Sequence, residues 1–395
     1  MPPRAAYIHV PFCRHRCGYC NFTVIARRED LIPAYLAGLE QELSLLESPR
    51  EVDTLFLGGG TPTHLSPPDL DRLLRLVRHW FPSASALPLT DDAASHAEFS
   101  LEANPRDITP ERVEVLRENR VNRLSLGAQS FAARKLSLLE RDHDAGIIAE
   151  ALALGRRFAR SVSLDLIFGA PGESLADWER DLEAALALAP DHISTYGLTF
   201  ERGTRFWSRQ LHGELVSAPE ELERAMYLAA IDRLTAAGFE HYEVSNFAKP
   251  GHRSLHNETY WRGGEYFAAG PGASRYVART RETNHRSTTA WLERLRRGVS
   301  PVAERESISA EEATRERVVF GLRMREGIDL AEIRAATGVD AAHLLARAFA
   351  RCQEMGAIER AGNRVRLTHA GLLISDSLWP QFWASAQEKP ESAGA

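Results

Sequence analysis

The stretch Cys13-Arg14-His15-Arg16-Cys17-Gly18-Tyr19-Cys20 decides how the rest of the chain is read. Three of the four cysteines lie here, and the fourth, Cys352, is far away. A secreted disulfide scaffold spreads many cysteines along a short chain, whereas crowded thiols point to a reducing compartment and a metal. Thiolates are the usual ligands of iron–sulfur clusters. Cys13, Cys17 and Cys20 on one tight loop can hold three irons of a [4Fe-4S] cluster. The remaining iron needs another ligand, and the amino and carboxylate groups of S-adenosylmethionine can supply it. Electron transfer from such a cluster would cleave the sulfonium to give a 5′-deoxyadenosyl radical. That chemistry belongs to the cofactors, and the protein supplies position and electrostatics. The competing readings are inert thiols or zinc, with His9 or His15 as a fourth zinc ligand. Most structural zinc sites pair two Cys-x-x-Cys units, and no second unit is present.

Outward from this loop, short apolar runs alternate with longer amphipathic ones. Strands are expected at Tyr7–Val10, Thr54–Leu57, Phe99–Glu102, Arg123–Leu126, Ser163–Phe168 and His192–Leu198. Leu31, Tyr35, Leu36, Leu39, Leu43 and Leu46 recur at helical spacing, as do Leu70, Leu73, Leu74 and Val77. This α/β alternation predicts a parallel sheet with helices outside it. Six βα units are too few for a closed eight-unit barrel, so the expectation is a partial, TIM-like (βα)6 barrel over residues 1–240. Its chemistry should sit at the carboxyl ends of the strands.

Pro82–His96, rich in Ala, Ser, Pro and Asp, reads as a surface loop. Residues 241–309 read as a Gly- and aromatic-rich connector. Residues 310–380 read as a small winged-helix-like domain, in which helices precede a hairpin around Gly362-Asn363. Cys352 sits among Leu344, Phe349 and Met355 and reads as core. The stretch 381–395 reads as a disordered tail.

Polar residues punctuate the strand ends. Gly58-Gly59-Gly60-Thr61 follows the second strand, where glycines let a ligand approach the backbone, although a tight turn reads equally well from the run alone. Glu102, Gln129 and Asp165 lie at or near the ends of apolar runs on successive strands. Singly each could be a hydrogen-bonded structural residue, and together they suggest a polar pocket. Arg141 could reach a carboxylate or be a solvated helix charge. If His256-Asn-Glu-Thr-Tyr260 is helical, His256 and Tyr260 share a face, and both residue types ligate haem iron. On chemistry alone, a capped helix start with a core Tyr is the better reading.

The net charge of −6 argues against a broad nucleic-acid footprint. No stretch of 18 apolar residues appears, and the first residues lack a signal-peptide core. A cytosolic protein with at most peripheral membrane contact is expected.

These residues together resemble the HemN/HemW branch of the radical-SAM proteins. The matching signatures are Tyr-Ile-His-Val-Pro-Phe-Cys from Tyr7, Gly-Gly-Gly-Thr-Pro-Thr from Gly58, Leu-Glu-Ala-Asn-Pro from Leu101, Leu-Ser-Leu-Gly-Ala-Gln-Ser-Phe from Leu124 and Asp-Leu-Ile-Phe-Gly from Asp165. Tyr-Glu-Val-Ser-Asn-Phe-Ala from Tyr242 and His-Asn-x-x-Tyr-Trp from His256 complete the set. The resemblance implies that Tyr7 and Tyr19 flank the cluster and S-adenosylmethionine. It implies further that Gly59, Gly60, Thr61, Glu102, Gln129, Arg141 and Asp165 contact S-adenosylmethionine.

The branch holds two functions. One member type decarboxylates coproporphyrinogen III in anaerobic haem synthesis. The other is a chaperone that binds haem and passes it to acceptor proteins. Three features favour the chaperone. Phe22 stands where the enzyme motif has a fourth cysteine, Cys13 follows only twelve residues, and His256-Asn-x-x-Tyr260 matches the haem-binding signature of the chaperone group. That match reverses the chemical reading of His256 and makes His256 and Tyr260 the expected haem site.

Overall fold

The computed structural model describes residues 2–82 and 97–383. Six strands fall where apolar alternation predicts them: β1 (Ala5–Val10), β2 (Thr54–Gly59), β3 (Glu98–Ala103), β4 (Arg123–Gln129), β5 (Ser161–Phe168) and β6 (His192–Gly197). They pair in parallel and in sequence order. Helices cross between them: α1 (Ile32–Ser44), α2 (Pro67–Trp80), α3 (Pro110–Glu118), α4 (Ala133–Leu138), α5 (Ala145–Gly155) and α6 (Leu175–Ala187). Beyond β6 come α7 (Arg205–Leu211) and α8 (Glu220–Ala236). This is the expected (βα)6 arrangement, because parallel neighbours need a long crossover and an amphipathic helix provides it.

Each strand divides its residues between two faces. Leu55 and Leu57, Phe99 and Leu101, Leu124 and Leu126, Val162 and Leu164, and Ile193 are fully buried in one apolar core. Tyr35, Leu36 and Leu39 of α1, Leu70, Leu73 and Leu74 of α2, and Trp178 and Leu182 of α6 pack into the same core. Burying each such side chain contributes about 1.5–3 kcal/mol, so this face carries the stability of the barrel. The alternate residues are largely polar: Thr54, Glu98, Ser100, Glu102, Arg123, Ser125, Ser161, Ser163, Asp165, His192 and Ser194. Because successive side chains point to opposite faces, these form the other surface of the sheet.

The stretch 241–309, expected to be a connector, contributes largely to the sheet. Strands β7 (Glu240–Glu243), β8 (Asn246–Ala248), β9 (Tyr266–Ala269), β10 (Ser274–Val277), β11 (Thr280–Asn284) and β12 (Val302–Ser307) extend it to the order β12-β11-β10-β9-β1-β2-β3-β4-β5-β6-β8-β7. Strand β9 pairs in parallel with β1, and β8 pairs antiparallel with β6. Helices α9 (Leu255–Trp261) and α10 (Thr288–Arg296) lie in the same stretch.

The chain forms two compact units. The larger contains residues 1–241, 245–256 and 265–307, and the smaller contains 242–244, 257–264 and the block from Ile308. In the smaller unit, helices at Ala310–Gly321, Leu330–Thr337, Ala341–Leu344 and Ala346–Glu354 precede the hairpin of Ile358–Ala361 and Arg364–Leu367. A third short strand, Ile328–Asp329, completes its sheet. Cys352 is fully buried there, as read from its neighbours. The last described helix, Ser375–Trp383, runs into the first residues of the expected tail. The rest of that tail, and the loop expected at 82–96 apart from Pro82, lie outside the described residues. No described helix is long and apolar enough to cross a membrane.

Candidate functional site

A cavity of about 950 Å³ opens at the carboxyl ends of the parallel strands. Cys13, Cys17, Tyr19 and Cys20 line it, with Gly59, Gly60, Thr61, Glu102, Gln129, Arg141 and Asp165. Eleven of the twelve residues expected around the cluster and S-adenosylmethionine therefore meet in one space. The twelfth, Tyr7, stands just behind: its hydroxyl would be 2.8 Å from a Cβ placed on Gly59.

The cysteine loop leaves β1 and is pinned at several points. Phe12 and Cys13 pair with Ile25 and Ala26, which closes the loop at its base. The amide of Cys20 donates to the carbonyl of Cys17 at 3.1 Å. Thr61 shares a 3.4 Å hydrogen bond with the Cys13 thiol. Arg141 donates to the Gly127 carbonyl at 2.9 Å and approaches the Cys17 sulfur at 3.8 Å. Burial pushes the Cys13 thiol up to about 12, with Thr61 pulling the other way. Bound iron would reverse that balance, since a coordinating thiol is held deprotonated.

Neither histidine proposed as a zinc ligand is aimed at the sulfurs. His9 shares Nδ1 with the Tyr7 hydroxyl at 3.0 Å and Nε2 with the Thr23 carbonyl at 2.7 Å. His15 gives Nε2 to Glu140 at 2.7 Å.

The glycine run is a cradle and not only a turn. Gly59 has φ +100°, and a Cβ there would sit 2.2 Å from the His9 ring. At Gly60 a Cβ would be 2.5 Å from the Val10 carbonyl oxygen. The Gly59 amide donates to Glu102 at 2.8 Å, which aims that carboxylate across the cavity floor. Burial pushes Glu102 up to about 7; the Gly59 amide lowers it and the nearby Asp165 raises it. Asp165 accepts from Ser125 at 2.9 Å and is also raised by burial. Gln129 ends β4 in the left-handed region, φ +66°, a costly position for a side chain that points it out of the strand register. The buried Nε of Arg141 has no hydrogen-bond partner, although it lies on the cavity wall. A donor left open beside a cavity suits an anionic ligand group.

Sequence reasoning missed the groups that hold the loop from outside. Glu140 accepts from His15 and from Arg205, and Arg205 also donates to the Arg16 carbonyl at 2.7 Å. Arg14 pairs with Asp107 at 3.2 Å and Asp142 at 3.6 Å. The run Glu140-Arg141-Asp142 carried the signal, but only its arginine was read. Phe22, noted for the cysteine it lacks, lines the cavity with 65% of its surface exposed.

His256 lies elsewhere. It is 1% exposed and shares a 2.9 Å hydrogen bond with Thr54, the first residue of β2. Its ring stacks on Phe56 at 5.1 Å. Its amide and that of Leu255 donate to Glu98, the first residue of β3, at 3.2 and 2.9 Å. Glu98 also receives Ser100 and lies 4.0 Å from Arg123, which binds the His252 carbonyl. His256 is thus seated at the amino ends of the strands, opposite the cysteine loop. Burial lowers its imidazole to about 3. Tyr260 is half-buried in the same helix and falls within the smaller unit. His256 is thus enclosed within the larger unit, while Tyr260 belongs to the smaller one.

The radical SAM superfamily profile matches residues 7–185, and the HemN C-terminal domain profile matches residues 308–374. A heme chaperone HemW of Bacillus subtilis is 33% identical over 383 residues, covering 96% of this chain and 99% of its own. One from Mycobacterium tuberculosis is 38% identical over 385 residues, covering 95% and 94%. The solved coproporphyrinogen III oxidase HemN of Escherichia coli superposes with a TM-score of 0.82 at 23% identity, over 96% of this chain and 90% of that one. At that identity the likeness speaks for the fold.

Proposed function

This chain belongs to the HemW family of radical SAM proteins, and from that premise we propose that it binds haem and passes it to acceptor proteins. The observation that carries the reading is the near full-length relationship to heme chaperones. Phe22 on the cavity wall supports it, since the decarboxylase motif places a cysteine there. A cytosolic location fits three reduced thiols and cargo that must be collected and handed on.

The cavity fits the cofactors of the superfamily. Cys13, Cys17 and Cys20 would hold three irons of a [4Fe-4S] cluster. Gly59, Gly60 and Thr61, with Glu102, would hold the amino end of S-adenosylmethionine. Arg141, with its open Nε, suits the carboxylate. Gln129 and Asp165 would bind the remaining polar groups, with Tyr7 and Tyr19 flanking. When bound, the pair supplies one-electron chemistry. The protein's own residues position and shield it: Glu140 and Arg205 keep the loop shut, and the glycines let the ligand reach the backbone. In this reading the cofactors support haem transfer and do not act on a porphyrin substrate.

The test is anaerobic reconstitution followed by haemin loading and incubation with an apo-haem protein. Loaded protein should transfer haem to the acceptor. Failure to load haem, together with decarboxylation of coproporphyrinogen III, would replace this reading with the enzyme.

A further inference from the structure

Strand β4 carries a bulge at its carboxyl end. Leu126 faces Leu164 of β5, but Gln129 faces Leu166, so three steps along β4 match two along β5. A bulge of this kind re-aims the side chain that follows it. Gln129 ends the bulge at φ +66°, and a Cβ on Gly127 would lie 2.9 Å from its amide nitrogen. A side-chain-bearing residue stays in such a backbone conformation only where its surroundings over-determine it.

The residues on both sides of Gln129 are held. Before it, Arg141 donates to the Gly127 carbonyl at 2.9 Å and His143 Nε2 to the Ala128 carbonyl at 2.9 Å. After it, Asp181 of α6 accepts from the Ser130 hydroxyl at 2.6 Å and from the Phe131 amide at 2.8 Å. Lys135 of α4 donates to Asp181 at 3.1 Å and also to Glu173. Glu173 accepts from the amide of Ala170, just beyond β5, at 2.9 Å. Ser130, Lys135, Glu173 and Asp181 are all buried, and they stand behind the loop and not on the cavity wall. Burying one ammonium with two carboxylates is costly, and apolar side chains would pack α6 at least as well. What the charges add is direction: each carboxylate fixes backbone at a strand end that borders the cavity.

We propose that Asp181, braced by Lys135 and Glu173, is a positioning residue for the S-adenosylmethionine site: it locks the bulge of β4 so that Gln129 faces the ligand. Asp181 acts through Ser130 and Phe131 and does not touch the ligand itself. The proposal rests on the cofactor reading of the cavity given above.

The experiment measures S-adenosylmethionine binding to the anaerobically reconstituted full chain, by equilibrium dialysis and by the change in the cluster's spectrum. Asp181→Asn and Ser130→Ala should each bind about five- to tenfold more weakly at unchanged iron content. Ser130→Ala removes one hydroxyl and leaves the ion pairs in place, so it carries the test if Asp181→Asn does not fold. Each change is repeated in a Gln129→Gly background, where the left-handed backbone is free of strain and the side chain is gone. There neither should weaken binding further, because residues that act through a third lose their effect once it is removed. Glu98→Ala, a destabilising change at the other end of the strands, should bind as the native chain does. Native affinity in both single variants, or losses that persist beside Gln129→Gly, would overturn the positioning role and leave the cofactor site standing. An equal loss in Glu98→Ala would overturn it as well, by showing that stability alone moves the affinity. No saturable binding to the native chain would overturn the cofactor reading, and the proposal with it.

Discussion

The two ends of the barrel use the same kinds of residue in opposite ways. At the carboxyl ends, Glu102, Gln129, Arg141 and Asp165 border a cavity of about 950 Å³. Glu102 is pushed up to about 7, and the Nε of Arg141 has no partner. At the amino ends, Thr54, Glu98, Arg123 and His256 are enclosed and bonded to one another or to backbone. A polar residue in a strand therefore does not mark a site by itself. What marks one is whether the fold satisfies the residue or leaves it facing space. By that measure the cysteine end is built for a ligand and the His256 end is built as a plug.

Breaking the cysteine end should have the largest effect on function and the least on folding. Cys17→Ala should lower reconstituted iron from about four per chain to below one, while the metal-free protein unfolds at nearly the native midpoint. Iron retained at the native level would remove the cluster assignment.

Breaking the plug should do the reverse. Glu98→Ala removes the carboxylate beside Arg123 and the oxygens that accept from two amides of α9. Removing one partner of a buried ion pair costs about 3–5 kcal/mol, to be read from urea unfolding. S-adenosylmethionine affinity should survive in the folded fraction. An equal loss at both ends would mean that the ends are not independent.

A pH series gives a smaller, signed effect. The imidazole of His256 is lowered to about 3 in the folded chain, from an ordinary value of 6.5. The unfolded chain therefore binds more protons between those values, and stability is full above 6.5 and falls as pH drops. The loss from this group should be roughly 2 kcal/mol by about pH 5. His256→Asn does not titrate, so its unfolding free energy should fall less steeply over that range. Parallel slopes would show that the ring is open to solvent. At the small end of the series, Phe22→Ala should change stability by no more than about 0.5 kcal/mol, because the side chain is largely exposed.

Much of this was legible in the sequence, for physical reasons that differ by region. The six parallel strands announced themselves through pairs such as Leu55 and Leu57 or Leu124 and Leu126, whose burial needs the alternation. The cysteine loop and glycine run are local, so spacing alone could place them. Strands β11 and β12 were missed because they are polar, held in part by Arg275, Glu282 and Arg305 pairing across the edge. The seat of His256 was illegible because its partners, Thr54 and Phe56, lie some two hundred residues away in the chain. A helical spacing of His and Tyr reports a shared face, not whether that face is open.

The most direct measurement places haemin titration beside the coproporphyrinogen III decarboxylation assay on one anaerobically reconstituted preparation. The account predicts saturable haemin binding, onward transfer to an apo-haem protein, and no decarboxylated product. Decarboxylated product dependent on S-adenosylmethionine, with no saturable haemin binding, would contradict it.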